Sequence, residues 1–144
     1  MTEVHTMTNE ARRLLDNAMS EAALMQAIVE CAELHGFLVL HIPDKLYKLA
    51  MKEGRMDAMG GAKGFPDLVL LHGSGSTMLV LETKTVRGET TAEQDAFLDA
   101  FSRSADAIAG HPVAVMIVRT VRPADLDYIL KVIKFYGERE RMTA

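Results

Sequence analysis

Residues 64–84 read GFPDLVLLHGSGSTMLVLETK, and the rest of the chain is organised around this stretch. Two apolar runs, DLVLL and MLVLE, flank HGSGST. Short apolar runs bounded by turn residues have the pattern of buried strands, and a Gly- and Ser-rich link makes the pair a hairpin. With Leu71 and Met78 closing the loop, Asp67 falls opposite Glu82. Directly opposed residues of an antiparallel pair lie roughly 4.5–5.5 Å apart, and like charges there are destabilising. Alternation along the strand turns Lys84 to the same face as Glu82. Two carboxylates and an ammonium then meet on one side of a ribbon. That is a poor way to stabilise a sheet and a good way to hold a divalent cation beside a reacting group.

Upstream, Ser20 caps a helix expected to run to about His35, with Gly36 as its stop. Leu24, Ile28, Cys31 and Leu34 form its expected apolar face, and Glu21 starts the same inward stripe. FLVLHI, residues 37–42, reads as a strand ended by Pro43. Residues 44–63 carry Lys45, Lys48, Lys52, Arg55 and Lys63 against Asp44, Glu53 and Asp57, so this segment is locally basic in an acidic chain. It reads equally as a solvated loop and as a loop that contacts phosphates.

Downstream, Gly88 permits a turn, and Thr91 with Gln94 matches a capping box; Thr90 and Glu93 repeat the pattern one residue earlier. A helix is expected over about Ala92 to Ala109, with Phe97, Leu98, Phe101, Ala105 and Ile108 inward. VAVMIVR, residues 113–119, reads as a central strand buried on both faces. Pro123 opens a last helix with Leu126, Ile129, Leu130 and Ile133 as its core face and Gly137 as its expected end. The order helix, strand, strand, strand, helix, strand, helix gives an α/β class: a mixed central β-sheet flanked by helices. The expected organisation is a partly flexible N-terminal extension (1–19), one domain (20–136) and a charged tail (137–144).

At 144 residues the chain is long enough for one well-cored domain. No apolar run is long enough for a membrane span, and the N-terminus does not read as a signal peptide. One cysteine, Cys31, excludes an internal disulfide framework and fits a reducing cytoplasm. A net charge of −4 argues against a protein that coats nucleic acid non-specifically, while leaving room for local binding. The five histidines show no paired zinc spacing. HGSGST lacks the lysine of a P-loop and reads as a plain turn.

Pro66-Asp67, fourteen residues, then Glu82-Thr83-Lys84 fit the PD-(D/E)xK nuclease pattern. Ser20-Glu21-Ala22, Gly36-Phe37-Leu38-Val39, Gly64-Phe65-Pro66-Asp67, Arg87-Gly88 and Thr91-Ala92-Glu93-Gln94 surround it in order. Together these resemble the VRR-NUC family, especially its small stand-alone members encoded by phages, over roughly residues 20–133. The resemblance implies a restriction-endonuclease-like core, a metal-dependent phosphodiesterase site, a homodimer, and cutting of branched DNA such as four-way junctions. It maps the family's acidic helix residue to Glu21, its metal-binding aspartate to Asp67, its second carboxylate to Glu82 and its lysine to Lys84. Gln94 matches a family glutamine. Thr83 stands where the family more often has an apolar residue.

The residues support that chemistry by themselves. Mg²⁺, or Mn²⁺ in its place, prefers oxygen ligands, commonly one or two carboxylates with water and substrate phosphate. Asp67, Glu82 and the Thr83 backbone carbonyl would supply them, with Glu21 acting by way of water. Lys84 would orient the attacking water or stabilise developing charge. Lys45, Lys48, Lys52, Arg55, Lys63 and Arg87 are the expected DNA contacts. Two other readings are a site-specific duplex cutter of restriction type and a non-catalytic DNA-binding or scaffold dimer. The expected location is the cytoplasm, that of the host cell for a phage-encoded protein, with no membrane partner.

Overall fold

The computed structural model describes residues 9–10, 19–41, 52 and 64–143. Its order is α1 (Glu21–Leu34), β1 (Phe37–His41), β2 (Leu68–His72), β3 (Thr77–Thr83), α2 (Ala92–Ile108), β4 (Val115–Val121), a 3₁₀ turn (Pro123–Asp125) and α3 (Leu126–Thr143). The four strands form one mixed sheet in the order β1-β2-β3-β4. β1, β2 and β3 pair antiparallel, and β4 joins β3 in parallel. A parallel neighbour needs a crossover, and α2 provides it.

The hairpin register agrees with the sequence: Leu71 faces Met78 and Leu68 faces Leu81. Alternation then divides the sheet. Phe37, Leu68, Leu70, Leu79, Leu81 and Val121 are buried with Leu24, Ile28 and Ala32 of α1 and Ile129 and Ile133 of α3. That is the core. The register places Val69, Val80 and Val118 side by side on the opposite face.

Helix α1 starts as its sequence requires, the Ser20 Oγ accepting from the Ala23 N–H at 3.0 Å. Its buried stripe is Leu24, Ile28 and Ala32. Leu34, expected inward, is 77% exposed. At 100° per residue an i, i+4, i+8 row keeps to the core, and Leu34 falls off it at the last turn.

Three further expectations are corrected. β4 is an edge strand of this sheet and half-buried through Val118; the strand buried along most of its length is β3. An apolar run reads alike whether a strand has two neighbours or one neighbour and a covering helix, and α2 packs on β4. Helix α2 has no fully buried residue, and Ile108 is exposed. Gly137 does not end the last helix, which runs on to Thr143. A Cβ at Gly137 would lie 2.8 Å from both Cβ and O of His35. Gly137 is there because α3 passes close to the end of α1.

Candidate active site

The site is built where the β2–β3 ladder stops. Backbone pairing ends at Leu68–Leu81, one residue short of Asp67, and side chains take over from there. The Asp67 N–H donates to Glu82 Oε2 at 3.2 Å. Asp67 Oδ2 accepts from the Thr83 N–H at 2.8 Å and from the Thr83 hydroxyl at 2.9 Å. Each strand end therefore satisfies the other's backbone with a carboxylate.

Glu82 is 1% exposed. Its Oε1 accepts from Gln94 Nε2 at 2.8 Å and lies 3.4 Å from Lys84 Nζ. Burial, followed by the negative charge of Asp67, pushes the Glu82 carboxyl up to about 7, and the Lys84 ammonium only partly opposes this. Two carboxylates against one ammonium leave negative charge in a dry place. The oxygen donors and that excess charge suit a hard divalent cation.

Gln94 reaches Glu82 because two features fix the start of α2. The first is the capping box: the Thr91 hydroxyl accepts from the Gln94 N–H at 3.2 Å, and Gln94 Oε1 accepts from the Thr91 N–H at 2.9 Å. With its oxygen committed to the cap, the Gln94 amide turns its NH₂ toward Glu82. The second is the segment before Asp67. Gly64, at φ +83°, lies so close under α2 that a Cβ would be 2.4 Å from the Glu93 carbonyl carbon. Phe65 sets its ring edge-to-face with Phe97 and Phe101, at centroid distances of 5.5 and 6.0 Å. The half-buried aromatics of α2 thus dock the helix on the site.

Lys84 continues the sheet, its N–H donating to the Val121 carbonyl at 2.9 Å. The turn that follows is held by Arg122, whose Nη1 donates to the carbonyls of Thr85 at 2.7 Å and Gly88 at 2.6 Å. Sequence reasoning misses Arg122. It lies 34 residues from Gly88, and no local pattern ties it to the turn.

The structure brings Asp67, Glu82, Thr83, Lys84 and Gln94 together. Glu21 is half-buried at the first position of α1. Among the described residues, no three His, Cys, Asp or Glu side chains converge as a cluster that could hold a metal ion. The donor set assembled is a pair of carboxylates. Of the expected DNA contacts, Lys52 and Arg87 are exposed, and Lys45, Lys48, Arg55 and Lys63 lie outside the described residues. No helix among the described residues is long and apolar enough to cross a membrane.

The family model that matches is the VRR-NUC domain, over residues 9–120. Comparisons with curated proteins and with solved structures return no match. The matched span covers α1, the hairpin, α2 and all but the last residue of β4, and so every site residue brought together above. The sheet and its helices are accordingly the restriction-endonuclease-like fold, and the chain belongs to the VRR-NUC family, whose domain is a nuclease of the PD-(D/E)xK type.

Proposed function

We propose that the protein is a metal-dependent endonuclease that hydrolyses phosphodiester bonds in branched DNA such as four-way junctions. The observation that carries the catalytic part of this reading is Glu82, a carboxylate at 1% exposure beside a second carboxylate, with its protonation equilibrium lifted to about 7; the branched substrate rests on the family resemblance. Buried ion clusters of this kind seldom stabilise a fold more than apolar packing would. A catalytic use explains why this one is kept.

Asp67 and Glu82 would hold Mg²⁺ or Mn²⁺, with the Thr83 carbonyl as a further oxygen and Glu21 acting by way of water. When bound there, such a cation supplies positive charge to the phosphoryl oxygens and acidifies the attacking water. Lys84 places an ammonium at the same point, where it orients the attacking water or meets charge developing on the phosphate. Gln94 keeps the Glu82 carboxylate turned to the site through its 2.8 Å bond. Lys52 and Arg87, together with Lys45, Lys48, Arg55 and Lys63, supply phosphate contacts that position the DNA without reading its sequence. We further propose that the protein acts as a homodimer in the cytoplasm.

The test is cleavage of labelled four-way junction, flap, single-stranded and linear duplex DNA with Mg²⁺ or Mn²⁺, wild type beside Asp67→Ala. Metal-dependent cutting of branched substrates, lost in the variant, is the expected result. Sequence-dependent cutting of plain duplex would replace it with the restriction-type reading. Binding without cutting in both proteins would leave a DNA-binding module. Sedimentation velocity tests the dimer.

A further inference from the structure

Thr83 does more at this site than offer a backbone carbonyl. Asp67 sits on a bend outside the ladder, so its carboxylate is not aimed by strand geometry. Among the described residues, the neutral donors that aim it come from Thr83, while the Glu82 carboxyl is its other side-chain neighbour. The Thr83 N–H and hydroxyl donate to the same oxygen, Oδ2, at 2.8 and 2.9 Å. Two donors from neighbouring atoms fix both the position and the plane of the acceptor. An apolar residue at this position would offer the N–H alone.

Thr83 is itself rigid. It is the last residue of the buried strand β3, is 0% exposed, and faces Val121 in the parallel ladder. A β-branched side chain has few χ1 choices, so its hydroxyl is aimed before Asp67 arrives. We propose that the Thr83 hydroxyl is a positioning group that orients the Asp67 carboxylate for cation binding, acting through Asp67 and not on the substrate. This rests on the reading of Asp67 and Glu82 as cation ligands. Partners that orient metal ligands in this way are worth about 10–100-fold in metal affinity.

The test titrates Mn²⁺ into metal-free protein and follows the free ion by electron paramagnetic resonance. Wild type is compared with Thr83→Val, which keeps shape and N–H but deletes the hydroxyl, with Thr83→Ser, which restores a hydroxyl, and with Asp67→Ala. The expected result for Thr83→Val is Mn²⁺ binding weakened by about 10–100-fold. Thr83→Ser should recover most of that loss. Junction cleavage by Thr83→Val should fall at low Mn²⁺ and recover at high Mn²⁺, with KM for DNA unchanged. Wild-type Mn²⁺ affinity in Thr83→Val would overturn the positioning role while leaving the nuclease reading intact. Wild type binding Mn²⁺ no better than Asp67→Ala would overturn the cation site itself. If Thr83→Val fails to fold by circular dichroism, Thr83→Ala removes the same donor with less bulk and is read by the same criteria.

Discussion

At the residue scale the structure turns on Glu82, whose carboxyl titrates near 7 where a glutamate ordinarily titrates near 4.5. The sign of the consequence follows from proton binding. Between these two values the folded protein holds a proton that the unfolded chain has released, so stability falls as pH rises and levels off above about 7. Each tenfold difference in proton affinity between the two states corresponds to about 1.4 kcal/mol. Urea unfolding in EDTA from pH 4 to 8 should show this decline in wild type, and the difference from Glu82→Gln isolates it from other titrating groups. A difference that stays flat across the window sinks the assignment. On the proposed cation site, saturating Mg²⁺ should oppose the decline, because a cation held by Asp67 and Glu82 would favour the ionised form.

At the element scale, two glycines set how helices meet their neighbours. Gly64→Ala should push α2 away from the site, because a Cβ there lies 2.7 Å from the Gln94 nitrogen and the backbone has a φ of +83°. A catalytic group displaced by about 1 Å can cost on the order of 100-fold in rate, and junction cleavage should fall by that order. Cleavage at wild-type rates would mean that the Gln94–Glu82 contact is dispensable. Gly137→Ala makes an opposite-signed case against simple propensity. Alanine in a helix interior is favoured by about 1 kcal/mol over glycine. The clash with His35 should override this and destabilise by about 1–3 kcal/mol, read as a lower urea midpoint. A raised midpoint would show that α1 and α3 are not in such close contact.

For the whole molecule, binding of a cation to the folded state couples the site to global stability. At a free concentration of 100 Kd the gain is about 2.7 kcal/mol, which for a domain of this size raises Tm by about 8 °C. Mg²⁺ or Mn²⁺ added to wild type should give a rise of that order, and Asp67→Ala should lose most of it. An equal rise in both proteins would place the bound ion elsewhere.

Much of this protein is readable from residue order. Short apolar runs, a Gly/Ser turn and caps at Ser20 and Thr91 specify the hairpin and the starts of α1 and α2, because these are local interactions between residues a few positions apart. Register and alternation bring Glu82 and Lys84 to one face and point to Asp67 as their neighbour, although Asp67 lies one residue beyond the paired strand and is held there by side-chain hydrogen bonds. Other features depend on which surfaces meet. An apolar run cannot say whether its strand is central, so β4 reads as central and lies at the edge. A glycine in a helix reads as a stop until a neighbouring helix is seen against it, as at Gly137. Arg122 on the 85–88 turn, Gly64 beneath α2 and the Thr83 hydroxyl on Asp67 join residues that sequence spacing does not relate. Periodicity and caps were set by the chain itself; the orientation of each carboxylate was decided by tertiary contact, because only packing brings those donors within bonding distance.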